Sequence, residues 1–411
     1  MGIGLRDCSQ PELAILVREY MMAGHMIDRA GMPHVMAELG RDAFGPVAIE
    51  EWMGASPVYV KRMQKALGFE GDSVETIFKG MQFDIGAPPQ FLDFRFQLHD
   101  RDHGEFWLDH CGALADVEPM GQDFVLTMCH DIEDPTFDAT AVASNPRAQV
   151  RPVHRPPRVP ADRSPMCHWT VIISDEHESL PMPNEAQVIA TTRAAMLELD
   201  AIDPNEPGLS DYRGPLLSDV RFEDWSHSAL VRIAQELCLQ GHLLALSFLA
   251  ALRRRIEPDA AVSFGRRQFT GVAGLTAERL RGALGLGRDL EAVARVIALH
   301  PALLPYDYVE CDVELSDRLV VRLGADSAGV ADAGWPSMLA AEHLEPLDAI
   351  VRSIDPRYRC EAIDNGPGGL ALEVVQDDVA APVAAEVALA RFSTGAEFKF
   401  NDRGTPVQLR M

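Results

Sequence analysis

Between His99 and His168 the chain carries six histidines (His99, His103, His110, His130, His154, His168) and three cysteines (Cys111, Cys129, Cys167). The whole chain of 411 residues has 13 histidines and seven cysteines, so this stretch concentrates soft ligands well beyond an even spread. Imidazole and thiolate are the side chains that zinc takes from proteins, followed by iron and copper. Three adjacent pairs stand out: His110-Cys111, Cys129-His130 and Cys167-His168. Each falls at the end of an expected element, the first after a strand, the second late in a helix over 122–130, the third opening a strand. Strand alternation places His110 on the inward face with Phe106 and Leu108, and Cys111 on the other. Helical spacing groups Cys129 with Val125 and Ile132, and His130 with Leu126 and Glu133. The expected metal ligands are therefore His110, Cys129 or His130, and one of Cys167 and His168. His103, His154 and Cys111 stand behind them, and His99 lies on the outward face. No CxxC or HExxH spacing is present, so buried thiols and packing histidines in a metal-free cleft are the alternative.

Carboxylates and arginines flank this cluster. Asp131 and Glu133 follow the Cys-His pair directly, and a carboxylate beside a metal-bound water can move its proton. Glu133 is the expected general base, whereas Asp134, before Pro135, reads as a cap of the next helix. The segment 147–163 holds Arg147, Arg151, Arg155, Arg158 and Arg163 against one Asp162. Guanidinium groups match carboxylates and phosphates, so Arg151, Arg155 and Arg158 are expected to hold an anionic substrate; pairing with acidic surface of the other half is the alternative.

The elements that must position these groups are written twice in the sequence. Segment 18–26 resembles 235–243, with Gly24-His25 over Gly241-His242 at an offset of 217. Segments 65–72 and 282–289 match at the same offset, and two further matches come after them at slightly smaller ones. The expected fold is α+β: an internal tandem duplication forming a pseudo-dimer of two helix, β-hairpin, helix and strand units. The copies span 1–200 and 223–411, joined by a Pro/Gly/Asp-rich linker over 201–222. Expected elements include a helix over 13–26, a helix over 74–81, strands over 149–153 and 169–174, and a helix over 185–199. In the hairpin Phe94, Phe96, Leu98, Phe106 and Leu108 face inward, matched by Val309, Cys311, Val313, Val321 and Leu323. The second copy has no His or Cys at the places of the nine ligands, so it reads as structural and the first as active. His25 and His242 occur in both copies and are expected to share a structural role.

With 37 basic and 62 acidic residues the formal charge is −25, which argues against nucleic acid and anionic membranes as partners. The apolar run near 243–252 is shorter than the ~20 residues of a spanning helix. Seven scattered cysteines point to a reducing cytoplasm rather than a disulfide framework. A Cys in a helix, an Asn-Pro before strands and a Cys opening the last strand (Cys129, Asn145-Pro146, Cys167) together resemble the L-2-amino-thiazoline-4-carboxylate hydrolase-like family. The outline is also similar to 4-vinyl reductase domains. That resemblance covers about 94–174 and implies a hydrolase-like or small-ligand-binding scaffold, with Cys129 and Cys167 carried over. The expected function is a metal-dependent hydrolase or lyase, zinc first and iron second, acting on a small carboxylated or thioester-type substrate. The alternative is a non-catalytic metal- and small-ligand-binding protein; assembly into a homo-oligomer is left open.

Overall fold

In the computed structural model, which describes residues 4–364 and 369–393, two mixed helix and sheet units succeed one another along the chain. The expected outer limits at residues 1 and 411 lie outside the described residues. The first unit runs α1 (Gln10–Leu39), α2 (Arg41–Leu67), α3 (Val74–Met81), β1 (Leu92–Leu98), β2 (His103–Cys111), α4 (Gly112–Val117), α5 (Gln122–Leu126), α6 (Glu133–Val142), β3 (Ala148–His154) and β4 (Cys167–Ile173). Two short helices, α7 (Asn184–Ile189) and α8 (Arg193–Met196), stand where one helix over 185–199 was expected. The second unit runs α9 (His227–Arg253), α10 (Pro258–Ala283), α11 (Leu290–Ala298), α12 (Tyr306–Val309), β5 (Cys311–Leu315), β6 (Leu319–Leu323), α13 (Ala328–Ala331), α14 (Glu345–Ile354), β7 (Tyr358–Ile363) and β8 (Leu370–Gln376). It closes with α15 (Ala385–Ser393). Each unit holds a four-stranded antiparallel sheet, ordered β1-β2-β4-β3 and β5-β6-β8-β7. Val309, expected on the second hairpin, ends α12 instead.

The long helices start and stop where their caps dictate. Ser9 and Glu12 form a capping box at the head of α1, and the Ser226 hydroxyl accepts from Ala229 N at the head of α9. Gly68 ends α2 in the left-handed region (φ 66°), its N–H returning to the carbonyls of the last turn. Glycines also set how closely elements approach. A Cβ on Gly24 would stand 2.5 Å from Ile85, so the Gly24-His25 step lets the 83–85 loop lie against α1.

Helices α1, α2, α9 and α10 form the central layer, with α9 packed on both α1 and α2 and α10 on α1. Each unit's long helices are therefore buried against those of the other. Helix α9 is long and apolar enough to cross a membrane by composition alone, but 89 % of its apolar window is buried against this layer. Part-buried ion pairs tie the units: Arg62 meets Glu236 bidentately at 2.9 and 3.0 Å, and Arg279 meets Glu19 at 2.7 and 2.9 Å. The 201–222 stretch is docked as well as connecting, since Tyr212 is buried and its hydroxyl donates to Gln82 Oε1 at 2.7 Å.

Candidate functional site

The first sheet divides the ligand cluster in two. Side chains alternate across β2 and β4, so Phe106, Leu108, Cys167, Trp169 and Val171 face the helices while Glu105, Trp107, His168 and Thr170 face away. Cys111, Cys129 and Cys167 are buried on the helix side. His99, His103, His154 and His168 gather on the opposite side, where His168 Nε2 lies 3.0 Å from Glu105 Oε2. The adjacent Cys-His pairs thus cannot offer both members to one point.

One pair is turned over relative to the strand alternation expected from the sequence. Leu92 pairs with Cys111 while Phe94 pairs with Leu108, so β2 carries one extra residue between them. This bulge brings Cys111, not His110, to the inner face. Cys111 is buried against a cavity and its sulfur accepts from Leu114 N at 3.3 Å, capping α4. His110 stays half-buried outside the cavity lining, its pKa lowered by that burial.

The expected helix over 122–130 begins as α5 and widens into a π turn over Thr127–Ile132. One extra residue per turn rotates the side chains beyond it. His130 turns outward and its Nε2 lies 2.7 Å from Pro156 O, whereas Ile132 and Glu133 line the cavity. Asp131 is exposed and does not line the cavity. Asp134 does not cap α6; it forms an ion pair with Arg155.

The three arginines are satisfied within their own unit, so neither the expected anion clamp nor pairing with the other half is seen. Arg151 pairs with Asp138 at 2.8 Å and Arg158 forks onto Glu118 at 2.9 Å. Arg155, bound to Asp134, lies over the Trp169 ring at 5.6 Å.

The cavity itself was not visible in the sequence. It lies between the inner face of the first sheet, helices α1 and α2, and the π turn, with a volume of about 140 Å³. Its walls are mostly apolar and aromatic, including Trp52, Phe94, Phe106 and Phe137, and its polar groups are three acids, Asp28, Asp84 and Glu133, with Arg29, His25, Tyr59, Thr136 and Thr140. Glu51, fully buried behind them, adds a fourth carboxyl. Asp84 accepts from Tyr59 Oη at 2.7 Å and Gly86 N at 2.6 Å, and Trp52 Nε1 donates to Asp28 Oδ2 at 3.4 Å. Among the described residues the remaining carboxylate oxygens Asp28 Oδ1, both oxygens of Glu51 and Glu133 Oε2 have no hydrogen-bond partner. Arg29 is held by Asp116.

Burial favours the protonated form of each of these acids. It pushes Glu133 up to about 8, against a smaller downward pull from Arg155, and Asp84 up to about 6. Glu51 and Asp28 are raised and His25 lowered, each by burial first. Glu133 at neutral pH is thus chiefly a proton donor, where the sequence suggested a base. Burial likewise raises all three thiols, Cys111 to about 12, and the charge of Glu133 adds to each. His25 and His242 are placed alike, as expected: His242 hydrogen-bonds Leu304 O at 2.8 Å and packs on Tyr308 at 4.7 Å between centroids, and His25 packs on Phe91 at 4.7 Å beside the Ile85 backbone, at the cavity wall.

Among the described residues, three ligand-type atoms lying within 4.8 Å of one another are found in His99, His103 and Glu105. The thiols, although near enough to influence one another's titration, do not form such a group. No family model, no curated protein and no solved structure matches this chain.

Proposed function

We propose that the first unit binds a small, flat, largely apolar molecule carrying hydrogen-bond donors or a positive charge, such as an aromatic amine. The observation that carries this reading is the set of orphaned acceptors in one apolar cavity. Buried polar groups are nearly always paired, and an unpaired buried acceptor costs about 1–3 kcal/mol. Asp28 Oδ1 and Glu133 Oε2 are therefore matched to a ligand's N–H groups. The aromatic walls suit a planar ring and favour a cation over its faces. A cavity of this volume accommodates a molecule of about benzene size. An anionic ligand has less to meet, because the nearby cations Arg29 and Arg155 are already engaged by Asp116 and Asp134. This takes up the small-ligand-binding alternative; the metal-dependent hydrolase or lyase reading has less support, because His110, Cys129 or His130, Cys167 or His168 and the arginines converge on no common point.

The reading rests further on the chain being one unit written twice, with the second copy as buttress. At the offset of 217, Asp28, Arg29, Glu51 and Tyr59 stand over Ala245, Leu246, Gln268 and Thr276. Neither Asp28 nor Glu51 has a charged counterpart. The interior around His242 is occupied by Tyr308 and by Trp335 stacked on Phe269. The second unit also reaches into the site's frame: Gln240 on α9 donates to Phe83 O at 2.9 Å and accepts from Ile85 N at 3.1 Å, holding the loop that carries Asp84.

Tryptophan fluorescence and thermal-shift titration with benzylamine and benzoate at pH 7 tests the proposal. Benzylamine is expected to quench Trp52 and raise Tm, benzoate to do neither, and Asp28→Asn with Glu133→Gln to abolish the difference. Equal response to both probes, or to neither, rejects it. A second reading, acid catalysis on the bound molecule, is favoured by Glu133 being protonated at neutral pH and facing the cavity. Turnover lost in Glu133→Gln with binding retained distinguishes it from binding alone.

A further inference from the structure

On the face of the first sheet opposite the cavity, a different set of groups converges. Strand β1 ends at Leu98 and β2 begins at His103, and the turn between them is tight: His99 N and Asp100 N both donate to His103 O, at 3.0 and 3.1 Å. That turn brings the His99 and His103 rings to 4.5 Å between centroids. Two residues along β2, on the same face as His103, Glu105 presents Oε1 at 3.6 Å from His99 Nε2. One ligand atom from each of His99, His103 and Glu105 lies within 4.8 Å of the others. Ligands around a tetrahedral zinc are about 3.4 Å apart, a spacing set by bonds of roughly 2.1 Å. Small rotamer adjustments of partly exposed side chains close that gap.

We propose that His99, His103 and Glu105 form a surface site for a divalent transition-metal ion, zinc above others, with His168 positioning the carboxylate. His168 Nε2 bonds Glu105 Oε2, which leaves Oε1 directed to the histidine pair. This is the outer-sphere histidine and carboxylate arrangement that fixes a ligand's orientation at metal centres, and removing such a partner weakens binding by about 10- to 100-fold. Two imidazoles and one carboxylate leave coordination positions free for water or a further donor. The ligand set is soft enough to exclude magnesium and calcium, which take oxygen donors alone. The second sheet has no such group at its hairpin: Arg318 pairs with Glu373 and Glu314 with Arg322. The sequence ranked His103 and His168 as ligands but placed them with thiols that face the other side of the sheet. The metal site stands independently of the cavity.

The test is zinc titration of the tag-free, full-length protein by calorimetry at pH 7.5. One equivalent is expected to bind, with His99→Ala and His103→Ala each weakening it tenfold or more and His168→Ala by about tenfold, while Cys129→Ser leaves it unchanged. His99→Gln and His103→Gln, which keep the turn's size and polarity, are expected to behave like the alanine variants. An isotherm unchanged in the His99→Ala/His103→Ala double variant overturns the proposal. So does one abolished by Cys129→Ser alone, which places the ion among the thiols.

Discussion

Cys167 and His168 are consecutive in the chain and face opposite sides of one sheet. Cys167 is buried among the helices, and His168 bonds Glu105 on the outer surface. Their separation is a consequence of strand alternation, and it has a chemical outcome. The thiol is pushed well above its ordinary range by burial, with Glu133 adding to the effect. Cys111, Cys129 and Cys167 are therefore expected to resist a thiol-exchange reagent such as DTNB at pH 8 in the native protein and to react together on unfolding. Rapid labelling of Cys129 in the folded state contradicts this burial.

Glu133 sets a pH dependence whose sign is determined by its raised pKa. The ordinary value is 4.5 and the folded one about 8, so the folded state holds the proton more tightly. Its contribution to stability is fully present below pH 4.5 and is lost as pH rises through 8. Glu133→Gln removes that loss. The variant is expected to gain about 1–3 kcal/mol over the parent at about pH 9 and little at about pH 4.5. Denaturant midpoints across this range check it, and parallel curves for the two proteins count against a protonated Glu133.

Arg155 is the cation that opposes burial at Glu133 and neutralises Asp134. Arg155→Ala is expected to move the Glu133 transition to higher pH, which the same midpoint series reads as a shift of the inflection. Arg151→Ala, whose partner is Asp138 and whose charge does not act on Glu133, is expected to leave it in place. If both variants behave alike, Arg155 does not act on Glu133.

Gln240 belongs to the second unit and lines no part of the cavity, yet its amide is bonded at both ends to the 83–85 loop. Gln240→Ala is expected to cost about 1–3 kcal/mol in stability, because two buried backbone groups lose their partner. It also releases Asp84, so binding of the cavity ligand is expected to weaken about tenfold while zinc uptake on the outer face is retained. Unchanged ligand affinity removes the second unit from the site's support.

Gly24→Ala tests the close approach behind the Gly-His step that recurs in α1 and α9. The added Cβ meets Ile85 at 2.5 Å, and overpacking of this kind costs about 1–3 kcal/mol. Gly241→Ala, where the nearest atom is the tip of Ile27 at 3.3 Å, is expected to cost less. Urea unfolding of the two variants gives the comparison, and equal losses exclude Ile85 as the cause.

The sequence by itself determined the α+β class, the helix Val74–Met81, and the inward face of the first hairpin. These come from local periodicity and caps, which act over a few residues. It also pointed to the right stretch of chain for unusual chemistry, but not to which side groups share a site. A one-residue bulge exchanged Cys111 for His110, and a π turn carried Glu133 to the cavity and His130 away. Neither irregularity leaves a mark in a period-2 or period-3.6 pattern. Only the tertiary structure brought Asp28 and Glu51, 23 residues apart on two helices, beside Glu133 around one apolar space. A lone acid on a helix reads as solvated surface. Its meaning depends on the dielectric that distant elements create around it, and burial by the sheet and the second unit's helices is what turned these acids into a site.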